Sequence, residues 1–210
     1  MKARYGSIRF GAATMYRRIS GRADTRRWSN LDNFDPEWGA RADIIAGLIR
    51  PGSRVLEFGA GTRRLESALA PSCTYVPSDL VDRGPDTFVV NLNHRPLPSL
   101  AGLGADVVVL AGVLEYLGRL PEVVSWLAAE TRTCIASYEC AVSPPGSIRR
   151  LSELIRRSQS GWINAYTEVG LVGLFAAEGF ACLQRCTWST PDGDERIFVF
   201  EQPGPSVSDR

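Results

Sequence analysis

Apolar residues recur along this chain in two rhythms. Over residues 35–50, Trp38, Ala42, Ile45, Ala46 and Ile49 share one helical face behind Asp35-Pro36-Glu37, which reads as an N-cap acid, a first-turn proline and a further acid. Pro51-Gly52 stops that helix. Residues 54–58 form a short apolar run, Gly59-Ala60-Gly61 breaks it, and Leu65, Ala68 and Leu69 return at helical spacing. The order is helix, strand, tight turn, helix. A helix that starts straight after a glycine turn aims its free N–H groups and positive dipole end back at the turn, a natural place for an anionic group. Two glycines there also let a ligand come close to the backbone, although the same pair serves equally well as a bare turn.

The alternation continues. Residues 74–79 predict a second strand ending in Asp79, residues 86–93 a third and 106–110 a fourth, the last two rich in β-branched residues as doubly covered parallel strands are. Only residues 80–85 join the second and third strands, which is short for a parallel crossover, so either a loop replaces the helix or the third strand is displaced. Pro121 opens a helix with Val124, Leu127 and Ala128 inward, and residues 132–139 form a fifth strand with Tyr138 and Glu139 at the rim of any site. Beyond Pro144-Pro145-Gly146 lies a basic helical stretch over 148–158, then an aromatic and amide cluster, Gly161-Trp162-Ile163-Asn164-Ala165-Tyr166. Thr167 caps a last helix with Leu171, Leu174 and Phe175 inward and Gly179 at its end, and residues 180–188 and 196–200 close as a hairpin. Seven strands alternating with helices predict an α/β fold, a mostly parallel sheet with helices on both faces and an antiparallel hairpin at the C-terminus.

Composition narrows the classes. With 210 residues, 44% of them hydrophobic, the chain suits one domain over residues 31–201, with a cap region near 140–166 and a loose tail over 202–210. Five cysteines without a C-x-x-C pair and a single histidine, His94, argue against a metal site and for reduced, mostly buried thiols. No run approaches the ~20 apolar residues of a membrane span. A soluble, cytoplasmic protein is expected. Residues 1–30 carry eight Lys or Arg against one acid, a local charge of +7 that leaves −6 for the rest of a chain whose total is +1. Such a basic arm suits nucleic acid or another acidic partner, but a solvated tail is the favoured reading.

Glu57-Phe58-Gly59-Ala60-Gly61 resembles the E/D-x-G-x-G core of class I S-adenosylmethionine-dependent methyltransferases. The third glycine of a dinucleotide fingerprint is replaced by Arg64, which disfavours NAD. The methyltransferase family usually has another glycine where this chain has Arg63. Asn93-His94-Arg95-Pro96-Leu97-Pro98 and the segment Gly112-Val113-Leu114-Glu115-Tyr116-Leu117 are similar to the family's D-x-x-x-L-P and V-L-E-H-L segments, and the resemblance covers about residues 35–201. It implies a Rossmann-like fold that binds S-adenosyl-L-methionine. Asp79, at a strand end 20 residues beyond Gly59, is the expected ribose ligand, the alternative being an ordinary strand-end turn acid. Asn91 and Asn93 stand where an acid commonly recognises adenine, and their side-chain carbonyls can accept the same hydrogen bond. Glu57, Gly59, Ala60, Gly61, Leu80, Leu92, Gly112, Val113 and Leu114 complete the donor site.

Glu115 and Tyr116 are the candidate catalytic pair. A tyrosine there, in place of the family's frequent histidine, donates a hydrogen bond rather than abstracting a proton. Tyr138, Arg149, Trp162 and Asn164 are the candidate acceptor-binding residues, able to stack on and hydrogen-bond a small polar acceptor. The segments Y-x-P-x-D-L (75–80) and G-W-x-N (161–164) resemble small bacterial methyltransferases of polysaccharide or glycoside biosynthesis. A small hydroxyl- or carboxyl-bearing acceptor is expected. The rivals are a catalytically silent adenosyl-binding scaffold, an NAD-dependent oxidoreductase, and an RNA-binding protein using the basic arm.

Overall fold

A computed structural model of the chain describes residues 24–143, 146–190 and 193–204. Its strands are β1 Arg54–Phe58, β2 Thr74–Asp79, β3 Phe88–Val89, β4 Val107–Ala111, β5 Thr133–Tyr138, β6 Ala181–Thr190 and β7 Gly193–Glu201. They form one sheet in the order β3-β2-β1-β4-β5-β7-β6. β1 runs parallel to both β2 and β4, and β7 lies antiparallel between β5 and β6. The helices are α1 Thr25–Ser29, α2 Trp38–Gly47, α3 Arg64–Ala68, α4 Leu120–Glu130, α5 Ile148–Gln159 and α6 Glu168–Ala177. This is the α/β architecture that the alternating pattern predicts.

Both faces of the sheet are covered, so strand residues are apolar on either side. Leu56, Phe58, Val108, Leu110, Ala136, Phe198 and Phe200 pack with Val124 and Leu127 of α4 and Leu171 and Phe175 of α6. Val55, Val107, Val109, Ile135 and Ile197 face the other way, against Ala42 and Ile45 of α2 and Leu65 of α3. Phe175 stacks flat on Phe200 with ring centroids 3.9 Å apart. Deleting a ring of this kind costs about 3–5 kcal/mol.

Several elements differ from expectation. Helix α2 begins at Trp38 with Glu37 as its N-cap, while Asp35 accepts from the Glu37 amide and closes a turn ahead of it. The helix after the glycine turn is a single turn of five residues. The third strand shrinks to two residues, and a loop replaces the crossover helix before it, because Asp79 and Asp82 tie that short segment to its own backbone amides. Of the five thiols only Cys134 is buried, and all five are free. The 202–204 segment is not wholly loose: Gln202 donates its backbone N–H to the Arg132 carbonyl and its side-chain amide to that of Ala128. Pro144-Pro145, Pro191-Asp192 and residues 1–23 of the basic arm lie outside the described residues.

From β1 the chain steps first to β2 on one side and later to β4 on the other. The C-terminal ends of β1, β2 and β4 therefore open into a common crevice, the usual ligand position of an open α/β sheet.

Candidate active site

The crevice holds a cavity of about 240 Å³. One wall comes from the first two strands. Glu57 lines it from the end of β1, Gly59, Ala60 and Thr62 from the β1–α3 loop, Arg64 from the start of α3, Asp79 and Leu80 from the end of β2, and Asn91, Leu92 and Asn93 from beyond β3. Gly61 has φ +52°, and a Cβ there would come within 2.3 Å of the Phe34 ring, so a side chain is excluded both by conformation and by the ring pressed on it. Gly61 itself does not border the cavity; its amide donates to Asp79 Oδ2 at 2.8 Å. Arg63 adopts the left-handed conformation (φ 56°, ψ 40°) that the family's glycine would hold without strain. Two bonds of 2.6 Å from its guanidinium to the Asp86 carboxylate hold it there.

Glu57 is 5% exposed and accepts a short hydrogen bond from the Tyr75 hydroxyl. Burial lifts its pKa to about 8, against the opposing effects of that hydrogen bond and of Arg41. Asp79 accepts from the amides of Gly61 and Val81 and from Arg83, so it fixes the loop as well as facing the cavity. Asn91 caps its own turn at the Asn93 amide. Asn93 spends both ends of its side chain on the loop after β4, donating to the Tyr116 carbonyl and accepting from the Gly118 amide. His94 is exposed and does not border the cavity.

The opposite wall is built after β4 and β5. Gly112 and Val113 line it, and a Cβ on Gly112 would meet the Arg41 guanidinium at 2.7 Å. Arg41 in turn binds Glu195 of β7 at 2.9 Å, Glu195 bonds Ser137, and Ser137 accepts from the Gly112 amide at 2.8 Å. Leu114, Glu115 and Tyr116 form one 3-10 turn. Leu114 does not reach the cavity; its side chain is fully buried in the core. Glu115 does reach it. Its Oε1 accepts from the Glu139 amide at 2.9 Å, whereas its buried Oε2 has no partner. Burial first, and the nearby Glu195 carboxylate second, raise its pKa well above the usual carboxylate range. Burial likewise raises that of Tyr116, whose hydroxyl accepts from the Trp162 indole at 3.1 Å.

The candidate acceptor residues part company. Trp162 borders the cavity, with Gly161 and Ile163 beside it. Tyr138 is not at the rim: it is fully buried, donating to Asn164 Oδ1 at 2.6 Å and accepting from Arg157 and the Tyr166 amide. Asn164 lies behind the wall, its amide nitrogen holding the carbonyls of Leu114 and Leu117. Arg149 is exposed on α5, away from the cavity. The reason is an inverted helix. α5 buries Glu153 and Arg157, which satisfy the backbone of 142–143 and Tyr138, and turns Ile148, Leu151 and Ile155 outward.

An aromatic strap over residues 24–38 covers the crevice, and sequence reasoning passed over most of it. Phe34 packs edge-on to both Trp28 and Trp38 with centroids 5.7 and 5.8 Å apart, the two indoles are tilted to each other at 6.4 Å, and Trp28 also meets the Tyr116 ring edge-on at 5.2 Å. Arg27 ties the strap to the Ser160 carbonyl and Arg83 holds the Trp28 carbonyl. A boundary at residue 30 thus falls inside a wall of the site. Three aromatics spaced 6 and 4 residues apart in a charged stretch were the available signal; Arg41 and Glu195 offered none.

A family model described as a methyltransferase domain matches residues 33–185. With the strand order above, this places the chain in the class I S-adenosylmethionine-dependent methyltransferases. No curated protein sequence matches it significantly. Among solved structures it resembles magnesium protoporphyrin IX methyltransferase from Synechocystis PCC 6803 with bound SAH, at 16% identity, covering 91% of this chain and 99% of that one, with a TM-score of 0.61. It also resembles human N-acetylserotonin methyltransferase in complex with SAM (12% identity, 87% and 57% covered, TM-score 0.58). The YcgJ protein from Bacillus subtilis is a third (10%, 81% and 100%, TM-score 0.60). At these identities the likeness is one of fold. Among the described residues no helix is long and apolar enough to cross a membrane.

Proposed function

We propose that this protein transfers the methyl group of S-adenosylmethionine to a hydroxyl group on a small acceptor. When bound, the donor supplies an electrophilic methyl on a sulfonium that departs as a neutral thioether. The chain must supply alignment, exclusion of water and a destination for one proton. The donor-side wall fits such a ligand: Asp79 offers a carboxylate for ribose hydroxyls, and Glu57 a buried carboxyl for an ammonium group.

The observation that carries the reading is the free, buried Oε2 of Glu115 beside the cavity. A carboxylate whose proton affinity is raised by burial accepts a proton near neutral pH better than an exposed one. Glu115 takes the hydroxyl proton as the acceptor oxygen bonds to carbon, and Tyr116, kept protonated, orients the acceptor. Glu139 and Glu195 border the same end, and Arg41 is already paired with Glu195, so an anionic acceptor would meet like charge. A hydroxyl is favoured over a carboxylate for that reason. Trp28, Tyr116 and Trp162 supply ring faces suited to a cyclic acceptor such as a saccharide.

The test is incubation of a cell extract with the protein and donor labelled in its methyl group, followed by mass spectrometry. Label is expected in a base-stable methyl ether. Label in a hydrolysable ester would redirect the reading to carboxyl acceptors, and tight donor binding with no labelled product would favour a silent scaffold.

A further inference from the structure

Helix α5 is built inside out. Glu153 and Arg157 are buried, whereas Ile148, Leu151 and Ile155 are 89%, 61% and 51% exposed. These three recur at i, i+3 and i+7, so they form one continuous stripe along the outer face. Val142, whose amide donates to Glu153, is 88% exposed as well. The rotation that exposes the stripe is fixed from beneath. Glu153 accepts from the amides of Val142 and Ser143, Arg157 donates to the Tyr138 hydroxyl and the Asn164 carbonyl, and Arg150 donates to the Ala165 carbonyl. Turning the stripe inward would break all of these bonds.

Whatever covers the stripe must also suit the charge around it. The helix carries four arginines against the single Glu153, and Arg149 and Arg156, seven positions apart, run along one edge of the stripe. Residues 1–23 hold six more Lys or Arg and no acid. They join the body at Asp24, where the strap begins, and Arg27 of the strap donates to the Ser160 carbonyl directly after α5. Like charge on helix and arm argues against the arm as the cover, and a second copy would bring its own arginines to the same edge. Nucleic acid would meet the arginines but leave the stripe in water. An anionic surface with an apolar interior satisfies both.

We propose that α5 is an interfacial helix that seats this protein on a bilayer containing anionic lipid, its apolar stripe entering the acyl boundary while Arg149, Arg156 and the basic arm face headgroup phosphates. A helix of twelve residues rises only about 18 Å, short of the ~30 Å hydrocarbon core, so it lies on the bilayer and does not cross it. Gly161 and Trp162, which border the cavity, follow α5 directly, and Arg156 binds Glu139 at the same end. On the methyltransferase reading, a bilayer seated on α5 lies beside the acceptor-side wall; the docking itself does not depend on that reading.

Co-sedimentation of the full-length protein with vesicles of phosphatidylcholine alone, and of phosphatidylcholine with about a third phosphatidylglycerol, tests the docking. Binding is expected to the anionic vesicles only, weakening as salt is raised. A variant combining Ile148→Ser, Leu151→Ser and Ile155→Ser is expected to lose about tenfold or more of that affinity. Arg149→Gln is expected to lose about fivefold, the weight of one cation near an anionic surface. All four positions are exposed, so both variants should melt as the unaltered protein does. Binding that survives the triple substitution would belong to the arm alone and overturn the interfacial helix. No binding to either vesicle, or equal binding to both, would overturn the proposal. So would a dimer in sedimentation velocity, or an affinity for nucleic acid, that the triple variant abolishes.

Discussion

The two walls of the cavity are made in different ways. The donor-side wall is local: Glu57, Gly59, Ala60 and Arg64 fall within eight consecutive positions, and Asp79 comes from the neighbouring strand in register with β1. The acceptor-side wall is composite, drawing Trp28 from the strap, Glu115 from the turn after β4, Trp162 from beyond α5 and Glu195 from β7. A local wall keeps its geometry through bonds within two neighbouring loops, the Gly61 and Val81 amides on Asp79 among them. A composite wall keeps it through side chains such as Asn164, Tyr138 and Arg41, which come from separate elements far apart in the chain. On the proposed reading, donor binding depends on one short stretch of chain and acceptor binding on several distant ones.

The sharpest way to break this division is Glu115→Gln. Methyl transfer is expected to fall by about 10²–10⁴ through loss of the proton acceptor, with donor affinity unchanged by calorimetry. If donor binding fell in parallel, the two walls would not be functionally separate. Asp79→Ala should do the reverse, weakening donor binding by about a hundredfold for two lost charge-assisted hydrogen bonds. Because Asp79 also holds the Gly61 and Val81 amides, a thermal melt should accompany that titration; normal donor affinity would remove the ribose assignment.

A smaller effect concerns pH. Glu57 has its pKa raised to about 8, so the free protein holds it neutral at pH 7, whereas an ammonium ligand requires the carboxylate. Donor affinity should rise with pH up to about 8, by at most about tenfold per unit, and Glu57→Gln should flatten the profile. The same group has the opposite sign for stability. The native state keeps its proton longer than the unfolded chain does, so this contribution is fully present below the unfolded value near 4.5 and is lost as pH rises through about 8. Smallest of all is Arg63→Gly. It relieves the left-handed strain but gives up the part-exposed Asp86 pair, so melting should move by the equivalent of about 1 kcal/mol or less.

Much of the local wall was legible because its signals are covalently adjacent. An apolar run, two glycines and an acid at the next strand end state a strand–turn geometry that tertiary packing has little freedom to alter. The composite wall was not legible in the same way. Tyr138 and Asn164 have the polarity of ligand-binding residues, yet the fold spends them on buried hydrogen bonds behind the Leu114–Tyr116 turn. Arg149 reads as a ligand-facing cation only if α5 shows its polar face to the site, and the buried Glu153 and Arg157 rotate that helix the other way. Leu114 sits one position from Glu115 but on the opposite side of a tight turn, which sends it into the core. The strand expected at 86–93 is shortened to Phe88–Val89 in part for a local reason: Asn91 bonds the Asn93 amide and bends the chain just beyond β3.

The strap has one further consequence, optical rather than chemical. Three of the five tryptophans, Trp28, Trp38 and Trp162, border the cavity, and Trp28 lies edge-on to Tyr116 and under the Arg27 guanidinium. Indole emission responds to the polarity and charge of its surroundings, so a ligand that displaces water from this crevice changes the protein's own fluorescence. The molecule carries a built-in, label-free reporter of occupancy, and Trp28→Phe and Trp162→Phe would assign its signal to one side of the cavity or the other.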